Sequence, residues 1–169
     1  MIDAAFVRMM ARYNAWHNRQ LSPIVEVMDE AELTADRGAF FGSIFATLNH
    51  LLWADRMWMS RFSRGVDVPE GGITGSVEIT PTIDVWSAER FRLDGRIKLW
   101  AEDLNTVALR GDLSWYSGAA GREVRKRMAL CVTHFFNHQT HHRGQIHAML
   151  TASGEDAPVT DLFLMPENS

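Results

Sequence analysis

One segment near the C-terminal end limits the fold more than any other. From Arg127 to Ala152 the chain reads RMALCVTHFFNHQTHHRGQIHAMLTA, with no proline. At about 100° per residue, Phe135, His138, His142, Gln145, Ile146 and Met149 all fall within about 60° of Cys131. This spacing predicts a long helix whose apolar stripe has to be covered by other elements, with histidines on the buried side. The same stretch, from Thr133 to His147, holds five of the chain's seven histidines.

Three further helices can supply the cover. The first begins near Asp3 and presents Phe6, Met9, Met10, Tyr13, His17, Gln20 and Ile24 on one stripe. Ser22-Pro23 is expected to kink it or start a new turn. "DEAELTADRG" reads as a connection with a short turn. The second long helix is expected over Phe40–Phe62 and is apolar around most of its circumference, so it should be well buried. "SRGVDVPEGGITGSVEITP" then forms a long loop rich in Gly and Pro. The third long helix is expected from Thr82 or Asp84, as cap, to about Leu109, with Gly111 beyond its end. "DLSWYSGAAGREVRKRM" suggests a small hairpin. The expectation is an all-α four-helix bundle with a long loop between helices 2 and 3 and a small hairpin before helix 4.

Composition narrows the class. The chain has 169 residues, 46% apolar and 22% charged, which fits a single globular domain over residues 1–169. A net charge of −4 argues against nucleic acid or an anionic membrane as partner. Cys131 is the only cysteine, so it is expected to be a buried thiol in a reducing compartment. No basic region followed by an apolar run opens the chain, and no apolar stretch approaches the ~18 residues of a membrane span. The expected location is the cytoplasm.

The histidines on the buried stripe need partners, because a polar group facing a core costs several kcal/mol when left alone. His138 and His142 lie one helical turn apart, so both imidazoles can reach one metal ion. Two ligands make a poor site. His50, on the apolar second helix in "SIFATLNHLLWADRMW", is the candidate third. His134 sits at the stripe's edge as a further ligand or a supporting group, and His141 lies about 80° off it. His147 faces away, and His17 is read as structural.

Here the pieces resemble a family. "YNAWHNRQL" (13–21), "GSIFATLNHLLWADRMWMSRF" (42–62) and "FNHQTHHRGQIHAML" (136–150) are similar to the DinB / YfiT-like family of bacterial metal-binding proteins, along nearly the whole chain. The resemblance implies an up-down-down-up order of the four helices, a divalent metal held by His50, His138 and His142, and a homodimer. His17 departs from the small residue that many relatives carry there.

Three histidines leave a coordination position open, as catalytic sites do. Zn²⁺ or Ni²⁺ is expected first, with Fe²⁺ and Mn²⁺ as alternatives. "HQTHH" has Gln139 where a zinc-protease helix carries its general base, and Asp55 lies about 140° from His50. A metal that activates a thiol needs no strong side-chain base, and the resemblance points the same way. The leading expectation is a transferase or isomerase that uses a low-molecular-weight thiol on a small electrophile. A metal-dependent hydrolase, with Glu70 or Glu78 entering from the loop, and a non-catalytic metal-binding stress protein stay open.

Other residues carry smaller expectations. Gln145 faces inward and can bond a ligand imidazole or metal-bound water. Tyr13, Trp16, Trp53 and Met57 are candidates to wall a pocket. Asn14 and Asn18 are placed to bridge helices, and Arg143 to form a salt bridge. Phe136 points away from the stripe, which suggests a dimer contact. Gly144 suggests close approach of another helix or a partner copy. Phe163 and Leu164 are expected to dock.

Overall fold

The computed structural model describes residues 2–118 and 120–167. Helix α1 spans Ala4–Glu26 and starts where the Asp3 carboxylate accepts from the Phe6 N–H at 2.8 Å. It runs through Pro23 rather than ending there; the helix stops three residues later, so the lost donor disturbs only its last turn. A short α2, Glu30–Thr34, buries Leu33. Helix α3 spans Ile44–Phe62, four residues shorter at its start than the pattern suggests. Gly42, at φ 78°, closes a tight turn on Ala39, and Ser43 then caps the helix by accepting from Ala46 N–H at 3.1 Å.

The glycine-rich stretch after α3 folds back along it. Asn49 Oδ1 accepts from both Thr80 N–H (3.0 Å) and Thr80 Oγ1 (2.7 Å), and Trp53 Nε1 donates to Glu70 O. A 3-10 turn at Thr74–Glu78 lies between these anchors. Helix α4, Ile83–Asp103, stops well short of Leu109. Leu104 turns extended, and Asn105 Oδ1 accepts from Ala108 N–H at 2.9 Å to begin a separate 3-10 turn. Strands β1 (Asp112–Ser117) and β2 (Arg122–Arg127) form the expected antiparallel hairpin, with Trp115 opposite Val124. Helix α5, Met128–Ala152, is the last α-helix, Gly154 follows at φ 87°, and a 3-10 turn at Leu162–Leu164 lies in the tail.

Paired residues give the relative directions of the long helices. α1 and α4 run oppositely, since Ala4 meets Thr106 while Glu26 meets Ser87. α3 and α4 run together, with Leu48 against Trp86 and Phe62 against Trp100. α3 and α5 run oppositely, with His50 against His142 and Phe62 against Phe135. Leu48, Leu52, Ile97, Val132 and Phe135 lie in the core among all of them, each burial worth ~1.5–3 kcal/mol.

A buried polar network also crosses this core. Arg90 donates to Asp55 and to Asp94, both at 2.7 Å. Asp94 accepts from Asn14 (2.9 Å) and Asn18 (3.0 Å), and Arg143 donates to Asn14 Oδ1. One connected set thus ties α1, α3, α4 and α5. Asn14 and Asn18 do bridge helices, while Arg143 bonds an amide rather than forming a salt bridge.

Two further expectations about packing fail, and a third, at Gly144, loses one of its two alternatives. Phe136 is only 1% exposed and packs edge-on against Phe6, because α1 covers the face that the α5 stripe leaves out. A Cβ at Gly144 would meet nothing within 4 Å, so no helix of this chain approaches it. Phe163 is 83% exposed and Leu164 is exposed too. The tail is instead held to α1 by polar bonds, chiefly Tyr13 Oη to Thr160 O at 2.6 Å. Among the described residues no helix is long and apolar enough to cross a membrane.

Candidate metal centre

Helix packing brings three imidazoles to one point. α3 is buried on nearly every side, so His50 cannot reach solvent, and Phe41 from the turn before α3 stacks on its ring at 3.9 Å. On α5, His138 and His142 stand one turn apart with ring centroids 4.4 Å from each other. Nε2 of His138 lies 3.4 Å from Nε2 of His50 and 3.1 Å from Nε2 of His142. The three ligand nitrogens lie within 4.8 Å of one another, and no other His, Cys, Asp or Glu among the described residues joins them.

The far nitrogens fix the tautomers. Ser76 spends its hydroxyl proton on Ile73 O, so at 2.8 Å it accepts from His50 Nδ1–H. Gln145 Oε1, also at 2.8 Å, accepts from His142 Nδ1–H. Both rings therefore turn a bare Nε2 lone pair toward His138 Nε2, which can donate to only one of them. The other neighbour's Nε2 lone pair is then left facing a nitrogen with no proton to offer it, a deficit that a cation at the centre would remove. Two nitrogens each ~2.0–2.1 Å from one tetrahedral ion lie ~3.4 Å apart, close to the spacing seen. The donor set fits a divalent ion. Nδ1 of His138 has no partner among the protein atoms.

Burial lowers His138 to about 3 and His50 to about 4, and the neighbouring imidazoles push the same way. Burial also lowers His142, against the hydrogen bond it donates to Gln145, and the neighbouring His141 adds to the lowering. All three rings are therefore neutral near pH 7, which is the form a metal requires.

The other predicted residues are distributed as follows. Gln145 bonds a site imidazole, as its inward position suggested. His134 is exposed and edges onto Trp58 at 5.2 Å, and His141 is exposed beside His142; neither belongs to the cluster. His17 is buried elsewhere, beside Tyr13. Of the proposed pocket wall, Trp53 stacks near His50 at 6.1 Å, whereas Tyr13 and Trp16 pair with each other on α1. Glu70 and Glu78 lie on the exposed side of the loop. That loop reaches the centre through Ser76, which the pattern of the sequence did not mark; its neighbours Thr74 and Gly75 give no distinguishing signal. Phe41 carries no sequence signal either, because its apolar character continues that of α3.

Fold and site together define a helical protein with a three-histidine cluster suited to a metal ion. The chain belongs to the DinB family, whose model matches residues 1–168. A crystal structure of a DinB-like protein from Bacillus cereus ATCC 10987 is similar in fold, with a TM-score of 0.62 at 14% identity over 85% of this chain and 90% of that one. No curated protein matches the sequence.

Proposed function

We propose that His50, His138 and His142 hold one divalent metal ion, Zn²⁺ or Ni²⁺ first, in a single-domain up-down-down-up four-helix bundle. The observation that carries this reading is the pair of bare Nε2 lone pairs converging on a third Nε2. Bound there, the ion would supply Lewis acidity and stabilise a deprotonated ligand at its open position. The protein adds neutral donors only, so the ion would keep its full charge.

The chemistry that suits these surroundings is transfer or isomerisation through a small thiol acting on a small electrophile. Thiolate formation on a cation requires no side-chain base, and no carboxylate lies in the cluster. The exposed positions of Glu70 and Glu78 weigh against the hydrolase reading. Ser76 and Gln145 would orient the two outer imidazoles, and Phe41 and Trp53 would shield His50 from water.

Elemental analysis tests the first half: wild-type protein should carry about one metal per chain and His138→Ala should carry almost none. Metal in neither, or equally in both, would overturn it. The second half is tested by thiol consumption on mixing metal-loaded protein with bacterial thiols and small electrophiles. Turnover is expected with wild type and not with His138→Ala; loaded protein that consumes none of the thiols would refute the transferase reading while leaving the metal site standing.

A further inference from the structure

A cavity lies on the opposite side of α5 from the histidine cluster, between α1, α5 and the tail. Its volume is about 280 Å³, and Tyr13, His17, Thr140, Arg143, Gly144, His147 and Thr160 line it. No acidic residue is among them. Two of the lining side chains, His17 at 2% exposure and Arg143 at 3%, are almost wholly buried yet unsatisfied: His17 Nδ1 and Arg143 Nη2 have no hydrogen-bond partner. Such groups are uncommon in folded proteins and each calls for an explanation.

The lining hydroxyls do not bond them: Tyr13 Oη donates to Thr160 O and Thr140 Oγ1 to Phe136 O, and neither oxygen accepts from His17 Nδ1 or Arg143 Nη2. Arg143 uses Nη1 on Asn14 Oδ1, leaving Nη2 free. The carboxylates whose charge acts on Arg143, Asp55 and Asp94, are bonded to Arg90, and Asp94 also to the two asparagines.

We propose that this cavity binds a small organic monocarboxylate, held by Arg143 Nη2 and the His17 ring and lying against the Tyr13 ring. One guanidinium matches one negative charge, and guanidinium–carboxylate bonds are among the stronger ones available to a protein. The volume is below that of drug-sized sites, which restricts the ligand to a small acid. Burial and Arg143 together lower His17 to about 3, so the ring is a neutral donor at pH 7 and adds no second charge.

Benzoate serves as the probe and benzamide as its uncharged counterpart, each titrated calorimetrically into the full-length protein. Benzoate should bind saturably at one per chain, with benzamide weaker by about tenfold or more, the effect of losing a charge-assisted bond. His138→Ala should bind benzoate as wild type does, which separates this site from the metal centre. Gly144→Leu should lose binding without a fall in Tm, since the new side chain grows into open space and the helix gains from losing a glycine. No saturable benzoate binding, equal affinity for benzamide, loss of binding in His138→Ala, or full binding in Gly144→Leu would each overturn the proposal.

Discussion

At the scale of single residues, the histidine cluster was legible because its chemistry and its period coincide. His138 and His142 share a helix face with Cys131, Ile146 and Met149, and a buried imidazole at that spacing has few reasons to exist. What supports the cluster was only half visible. Gln145 follows His142 by three residues on the same face, so its bond could be anticipated. Ser76 comes from a loop, where no periodicity constrains direction. Replacing either one should loosen its imidazole without removing a ligand. Ser76→Ala and Gln145→Leu should each weaken metal binding by ~10–100-fold, read by competition with a coloured chelator. Unchanged affinity in both would mean that the Nδ1 bonds do not set ring orientation. Two of these imidazoles, together with the buried His17 outside the cluster, predict a pH dependence. His138 is lowered to about 3, His50 to about 4 and His17 to about 3, each from 6.5. Below pH 6.5 the unfolded chain binds more protons than the folded one, so stability is full above that value and is lost as pH falls toward 3–4. The Tm of chelator-treated protein should therefore drop steadily between about pH 7 and pH 4, and a flat profile would contradict the burial of these rings.

At the scale of elements, long helices were easier to place than their ends. The body of α5 needed only its stripe, and the hairpin declared itself through glycine between two alternating runs. The start of α3 did not, because Phe40 and Phe41 continue its apolar composition while Gly42 breaks the backbone path. The signal for the true start was the Ser43 side chain, whose hydroxyl accepts from Ala46 N–H. The far end of α4 failed similarly: Leu104, Val107 and Leu109 look helical, but Asn105 turns the chain. Ser43→Ala should cost ~1 kcal/mol in chemical denaturation, as loss of an N-cap does. Because α3 carries His50 seven residues on, metal affinity should change little. A large loss of affinity would show that the cap, rather than packing against α4 and α5, places that ring.

At the scale of the whole molecule, the feature least legible in advance is the buried ionic network. Asp55, Arg90 and Asp94 are residue types normally at the surface, and Asp55 falls well away from the His50 stripe. As that angular offset implies, it does not face the metal cluster. It faces α4 instead, since α3 is enclosed on several sides and a single buried face is the wrong picture for it. The pull of the surroundings on these groups is mixed. Burial raises Asp55 to about 6 even with Arg90 beside it, while Asp94 and Asp55 raise Arg90 against its own burial. Arg90 thus stays charged and keeps Asp55 ionised near pH 7. Arg90→Met would strand two buried carboxylates and should cost ~3–5 kcal/mol. Adding Asp55→Leu removes one of the stranded charges and leaves Asp94 with Asn14, Asn18 and the nearby Arg143. The double variant should therefore be more stable than Arg90→Met alone, although it carries one more substitution. Equilibrium denaturation of wild type, both single variants and the double variant closes the cycle, and a double variant whose loss equals the sum of the singles would show that the network is a set of independent contacts rather than one coupled unit.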